Sequence, residues 1–157
     1  MLNSIKIFKG DNFHDRRGYI WTSWSEKKIP IKFKHDKFAT FKKNVLRGFH
    51  WDDKTWKLMS CPFGEILLVI VNCKKNSKQY LKHTSFKISH KNNTQILIPP
   101  NFGNATLCLS NEAVLHYKLY YEGNYNDVSD QQSMKWNDNR LKFKWPKKKF
   151  ILSKRDK

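Results

Sequence analysis

The chain has 157 residues, 39% apolar and 15% aromatic, with six tryptophans. That excludes a disordered segment and gives enough material for one ordinary domain, residues 1–157, with a real core. Its 31 Lys and Arg stand against 13 Asp and Glu, a net charge of +18, but the arginines are only Arg16, Arg17, Arg47, Arg140 and Arg155, so a solvated lysine-rich surface is expected rather than a nucleic-acid footprint.

In chain order, the regular pattern has a period of two, which predicts strands. Residues 19–24, 31–33, 37–41 and 57–61 are the first candidates. Residues 65–73 form an apolar, β-branched run, expected to be a strand buried on both faces. Residues 82–88 follow, then 95–98, stopped by Pro99-Pro100 because proline cannot donate to a ladder. Residues 107–109 precede the clearest alternation, 113–121. There Leu115, Tyr117, Leu119 and Tyr121 share one face, and Val114, His116, Lys118 and Tyr120 the other. A short helix is predicted near 127–134. Turn signals at Lys9-Gly10-Asp11-Asn12, Pro62-Phe63-Gly64, Lys91-Asn92-Asn93 and Gly123-Asn124 punctuate these runs roughly every 8–12 residues, the spacing of a sandwich or barrel. The predicted class is all-β.

No run approaches the ~20 apolar residues of a membrane span, and no secretory segment follows Met1-Leu2-Asn3. Cys61, Cys73 and Cys108 lack both C-x-x-C and zinc-finger spacing, so free thiols in a cytoplasmic protein are expected.

Arg47-Gly48-Phe49-His50 follows a strand-like stretch and precedes the polar Trp51-Asp52-Asp53-Lys54. Gly48 would permit a tight backbone that lets Arg47 and His50 project toward a common space. Imidazole is the side chain best suited to proton transfer near neutral pH. His14, His35, His83, His90 and His116 lack a comparable setting. No second clustered pair accompanies His50-Trp51-Asp52, so no metal is expected. Catalytic triads, P-loops and dinucleotide fingerprints are absent.

Several segments, in order, resemble one family. Phe13-His14-Asp15-Arg16-Arg17-Gly18 is similar to F-x-D-x-R-G, and Val45-Leu46-Arg47-Gly48-Phe49-His50 to V-L-R-G-[LI]-H. Lys57-Leu58, then Leu97-Ile98-Pro99-Pro100-Asn101-Phe102, Tyr117-Lys118 and Trp136-Asn137-Asp138 follow. Trp145-Pro146 and Ile151-Leu152-Ser153-Lys154-Arg155-Asp156 match a W-P…I-L-S-x-[KR]-D close. Together they resemble the nucleotide-sugar 3,5-epimerases of the dTDP-4-dehydrorhamnose type, a branch of the cupins, over residues 13 to 156. The finer match is to epimerases of GDP-linked 4-keto-6-deoxy-heptoses in bacterial capsule biosynthesis. It is carried by Lys34-His35-Asp36-Lys37-Phe38, Pro99 to Asn104 and Tyr117 to Gly123. Asn104 stands where the rhamnose enzymes have His, and Trp51-Asp52 where they have Tyr-Gln.

The resemblance implies a cupin jelly-roll barrel with short flanking helices, a homodimer that often exchanges N-terminal strands, and no cofactor. A C4 ketone acidifies C3 and C5, so inversion needs a base, an acid on the opposite face, and a cation near the enolate oxygen. By resemblance, His50 is the base, Tyr117 the acid and Asp156 the partner of His50. Lys57 and Arg47 would stabilise the oxyanion. Arg17 and Lys118 would hold the diphosphate, with Asn104 also in the substrate site. The same residues would also serve inversion at C3 alone, with the C5 step lost, and three other readings stand beside the heptose epimerase. One is a dTDP-hexose 3,5-epimerase. Another is a 3,4-ketoisomerase, which R-G-x-H and L-S-x-[KR]-D fit less well. The last is a non-catalytic sugar- or nucleic-acid-binding barrel, whose nucleic-acid affinity would fall steeply with salt.

Overall fold

The computed structural model describes residues 2–146 and 149–157. Its strands are β1 (Lys6–Lys9), β2 (Asn12–Asp15), β3 (Gly18–Trp21), β4 (His35–Lys42), β5 (Leu46–Trp51), β6 (Trp56–Phe63), β7 (Glu65–Asn72), β8 (His83–Ser89), β9 (Thr94–Ile98), β10 (Phe102–Cys108), β11 (Glu112–Tyr120) and β12 (Gln132–Ser133). One five-stranded sheet has the order β1-β9-β6-β11-β4 and the other β12-β5-β10-β7-β8, with β2-β3 a separate hairpin. The pairings are antiparallel, apart from one parallel bridge between Val45 and Ile151. Among the described residues, no helix is long and apolar enough to cross a membrane.

Strand β7 shows why the middle of the sequence reads as unbroken apolar. Ile66, Leu68 and Ile70 enter the core between the sheets, with Met59, Ile96, Ile98 and Leu115. Leu67, Val69 and Val71 point the other way, into a second cluster. That cluster is roofed by the C-terminal segment through Met134, Trp136, Leu141, Phe143, Trp145, Phe150 and Leu152. Both faces of β7 are therefore covered, and alternation has nothing polar to display. Outside the first sheet, Ile29 packs on Leu58 and Leu97, with Trp24, Ile31 and Phe33 alongside. Cys61, Cys73 and Cys108 are free and buried.

Four sequence expectations change. Residues 31–33 do not form a strand; Ile31 and Phe33 pack on the first sheet while their N–H groups bond to Ile29 and Ile31 carbonyls. The expected helix near 127–134 is a single 3-10 turn, Asp127–Asp130, followed by β12. Asp127 sits at φ 51°, which interrupts a right-handed helix, and Gln132 and Ser133 pair with Trp51 and His50. Residues 19–24 form a strand only to Trp21. Strand β10, by contrast, begins at Phe102, well before the 107–109 alternation.

Candidate active site

The site begins with a fault in strand β5. Residues three apart on a regular strand point to opposite faces, so Arg47 and His50 should not share one. The register with β10 runs Asn104↔His50 and then Thr106↔Arg47, so β5 carries one extra residue there. This β-bulge rephases the strand. Leu46 and Phe49 go to the C-terminal core cluster, and Arg47 and His50 turn into the space between the sheets. Gly48 makes the bulge possible. Its φ is 117°, and a Cβ there would lie 2.3 Å from Asn104 O and 2.6 Å from Ala105 Cα.

The resulting cavity, about 120 Å³, has two characters. Ala39, Phe41, Met59, Leu115 and Leu119 supply an apolar side, while Arg47, His50, Lys57, Asn104 and Tyr117 supply polar groups. His50 comes from the second sheet and Tyr117 from the first, so their side chains approach from opposite walls.

His50 is fixed by the chain terminus. Its Nε2 lies 2.8 Å from Asp156 Oδ1, and its Nδ1 has no partner in the protein. Asp156 is buried and also accepts from Ser153 Oγ at 2.8 Å and from the Gly48 N–H at 3.3 Å. Burial alone would raise its pKa, but the hydrogen bonds from His50, Ser153 and Gly48 outweigh that and hold it below the usual carboxylate value. The tail reaches this place because Phe150 and Leu152 pack into the core while Ile151 exchanges backbone bonds with Asn44 and Leu46. A carboxylate that accepts the hydrogen bond of an imidazole Nε2–H keeps the proton on that nitrogen and leaves Nδ1 as the basic one.

Lys57 is buried and donates to Asn104 Oδ1 at 2.9 Å and to the His50 carbonyl at 3.4 Å. Burial pulls its pKa down to about 8. Tyr117 is raised, mainly by burial, so its phenol keeps its proton at neutral pH. Arg47 lies at the rim, its guanidinium 4.5 Å from the Phe41 ring centre and bonded to the Thr40 carbonyl. The arrangement offers a base, an acid and a cation around one small space.

Two expected site residues lie elsewhere. Lys118 points away from the cavity, as strand alternation next to Tyr117 demands; it pairs with Asp36 at 2.6 Å and lies over Trp24. Arg17 stands at the tip of the β2-β3 hairpin, 80% exposed and paired with Asp15 at 2.5 Å. That hairpin is tethered by Tyr19 to the His90 carbonyl and by Asn12 to Asn93, at the start of β9. Lys57 pairs with Ile98, at the other end of β9. The cavity also gains residues that sequence reasoning missed: Thr106, Tyr125, Asp127 and Gln131. Tyr125 donates to Asp127, which also pairs with Lys37. Thr106 comes from β10, while Tyr125, Asp127 and Gln131 sit on an irregular segment without periodicity, and only the chain's return over the barrel mouth brings them in.

Two facing antiparallel sheets around a polar-lined cavity make this an all-β cupin-type jelly roll. The family model described as dTDP-4-dehydrorhamnose 3,5-epimerase matches residues 1–157, and the chain belongs to that family of isomerases. A dTDP-4-dehydrorhamnose 3,5-epimerase of Salmonella typhimurium is 31% identical over 92% of this chain and 82% of its own. The dTDP-6-deoxy-D-glucose-3,5-epimerase of Legionella pneumophila, solved in complex with dTDP-4-keto-L-rhamnose, is 28% identical. It superposes with a TM-score of 0.89 over 97% of this chain and 84% of that one. The dTDP-4-dehydrorhamnose 3,5-epimerase of Bacillus anthracis, solved with TDP and pyrophosphate bound, is 25% identical, with a TM-score of 0.91 over 98% and 91%. These relatives are named for dTDP-linked substrates, not for the GDP-linked heptose that the finer sequence resemblance suggested.

Proposed function

We propose that the protein inverts C3 and C5 of a nucleotide-linked 4-keto-6-deoxy sugar, with dTDP as the nucleotide. The observation that carries this is the His50–Asp156 pair on one wall of a cavity and the Tyr117 phenol on the other. The relatives' dTDP ligands support the choice of nucleotide. The cavity lies below the ~300–1,000 Å³ of sites that engulf a whole drug-sized ligand, which suits a sugar ring inside and a nucleotide at the rim.

His50 takes the C3 proton, and the electrons of the C–H bond move to the C4 oxygen as an enolate. The Lys57 ammonium, with Arg47 at the rim, stabilises that oxyanion. Tyr117 delivers a proton from the opposite face and the enolate collapses to the inverted ketone. The proton gained by His50 and the one lost by Tyr117 are reset through solvent, and the same groups then act at C5. Asp156 holds the tautomer and stabilises the imidazolium. Asn104 orients Lys57 and borders the sugar.

The active form is a homodimer in this reading. Phe13 and Ile20 face each other across β2 and β3 and are 74% and 72% exposed. An isolated two-stranded hairpin is marginal in water, so a second copy is its natural cover. Arg17, remote from its own cavity, would then serve the diphosphate at the partner's.

A GDP-linked heptose is the second reading, favoured by Asn104 beside Lys57 and by Trp51-Asp52 where the rhamnose enzymes differ. Proton NMR in D₂O, with both dTDP- and GDP-linked 4-keto-6-deoxy sugars, tests both. The C3 and C5 signals should disappear with one nucleotide, and His50→Asn should slow this by at least about 10²–10⁴-fold. Binding without exchange in the folded protein would sink the epimerase reading.

A further inference from the structure

The geometry points to Asn104 as a further catalytic residue: its side-chain N–H donates to the developing enolate oxygen beside the Lys57 ammonium, and the two together form an oxyanion hole. The inference rests on the reading of the reaction as proton abstraction next to a C4 ketone.

The direction of the Asn104 amide follows from its neighbour. An ammonium has three N–H donors and no acceptor. Lys57 spends one on the Asn104 side chain at 2.9 Å and one on the His50 carbonyl at 3.4 Å. The Asn104 atom that meets it is therefore the oxygen, which leaves the amide one orientation. Nδ2 then has two protons and, among the described residues, no acceptor in the protein. Asn104 and Lys57 both line the cavity, so the free protons of both are available to what enters it.

Distances allow one oxygen to be shared. Oδ1 and Nδ2 sit on the same carbon, which places Nδ2 within about 5 Å of the Lys57 ammonium. An oxyanion about 2.7–3.1 Å from each donor fits between them. Asn104 is also the cross-strand partner of His50, the proposed base. Such partners have Cβ atoms roughly 4.5–5.5 Å apart. The acidic C–H and the ketone oxygen belong to adjacent atoms of the sugar, so base and oxyanion donors have to stand side by side. The pairing of β5 with β10 sets them that way. A neutral amide serves better here than a carboxylate, which would hold Lys57 in an ion pair and repel the enolate. Among the described residues, no carboxylate lies within ion-pair distance of Lys57, so its charge remains for the substrate.

A donor that meets charge only as it develops acts on kcat more than on KM. Asn104→Ala should lower kcat about 10²–10³-fold with little change in KM, in the D₂O exchange assay of the 4-keto sugar. A rise in KM with kcat unchanged would make Asn104 a ground-state contact and overturn the inference. The alternative that Asn104 only steadies Lys57 is separated by a double-mutant cycle. In a Lys57→Met background, Asn104→Ala should still slow the residual exchange by about tenfold or more, because the amide donates on its own. No further loss in that background overturns the inference. Should Asn104→Ala not fold, the Asn104 side-chain amide signal of the unsubstituted, ¹⁵N-labelled protein decides. One Nδ2 proton should move downfield on adding the 4-keto sugar and not on adding dTDP alone; unmoved protons overturn the inference equally. Absence of C3 and C5 exchange in the unsubstituted protein would remove the epimerase reading and this role with it. Exchange at full kcat in Asn104→Ala would remove this role alone.

Discussion

Asp156 is second from the end of the chain, where a carboxylate is ordinarily solvated, yet it is 5% exposed beneath His50. Replacing it with Asn keeps the shape and loses the charge that holds the imidazole. Asp156→Asn should lower kcat by roughly 10²–10⁴-fold with a much smaller change in KM, in steady-state assays of the same sugars. Its carboxyl pKa is depressed in the folded state. The stability it supplies is therefore complete above the unfolded value and is lost as pH falls through the folded one. In urea titrations, the gap between the original protein and Asp156→Asn should be widest above the ordinary Asp value of ~3.9 and should narrow as pH falls below it. Lys118 gives the contrasting case. It turns away from the cavity and pairs with a half-exposed Asp36, so Lys118→Met should leave kcat/KM within about twofold and cost about 0–1 kcal/mol. A large loss of turnover would return Lys118 to the site.

At the scale of elements, strand β5 decides the chemistry. Its bulge is what brings Arg47 and His50 to one face, and Gly48 is what permits the bulge. Gly48→Ala forces a side chain into a left-handed φ and into the backbone of β10. It should cost about 3 kcal/mol or more in urea unfolding and abolish proton exchange even where the protein remains folded. Normal exchange in that variant would mean that the bulge is not needed to aim His50. The residues 45–50 already suggested a tight backbone with a shared space for Arg47 and His50, because glycine beside two chemistry-bearing side chains is a local signal. The dyad was not legible in that way. Asp156 is 106 residues away from His50, and nothing in the spacing of the tail states that Phe150 and Leu152 will dock it there.

The whole molecule raises the question of copies. The β2-β3 hairpin exposes Phe13 and Ile20 and carries Arg17 away from its own cavity. If the hairpin serves a partner, Arg17→Ala and His50→Asn proteins, each weak alone, should regain exchange when unfolded together and refolded. One subunit would then combine an intact His50 with its partner's intact Arg17. No recovery in mixed dimers, shown by sedimentation to have formed, would mean that Arg17 acts within its own chain or not at all.

Period-two alternation, the buried run that became β7, and the proline stop after Ile98 determined the all-β class, because strand geometry is a local rule written in neighbouring residues. Ordered motif resemblance carried the family. Tertiary structure alone decided that Lys118 faces outward and that the segment around Tyr125 and Asp127 lines the cavity. Those facts depend on which distant backbones pack together, on a one-residue shift of register and on how far each group is removed from water. None of these is set by a residue's immediate neighbours in sequence.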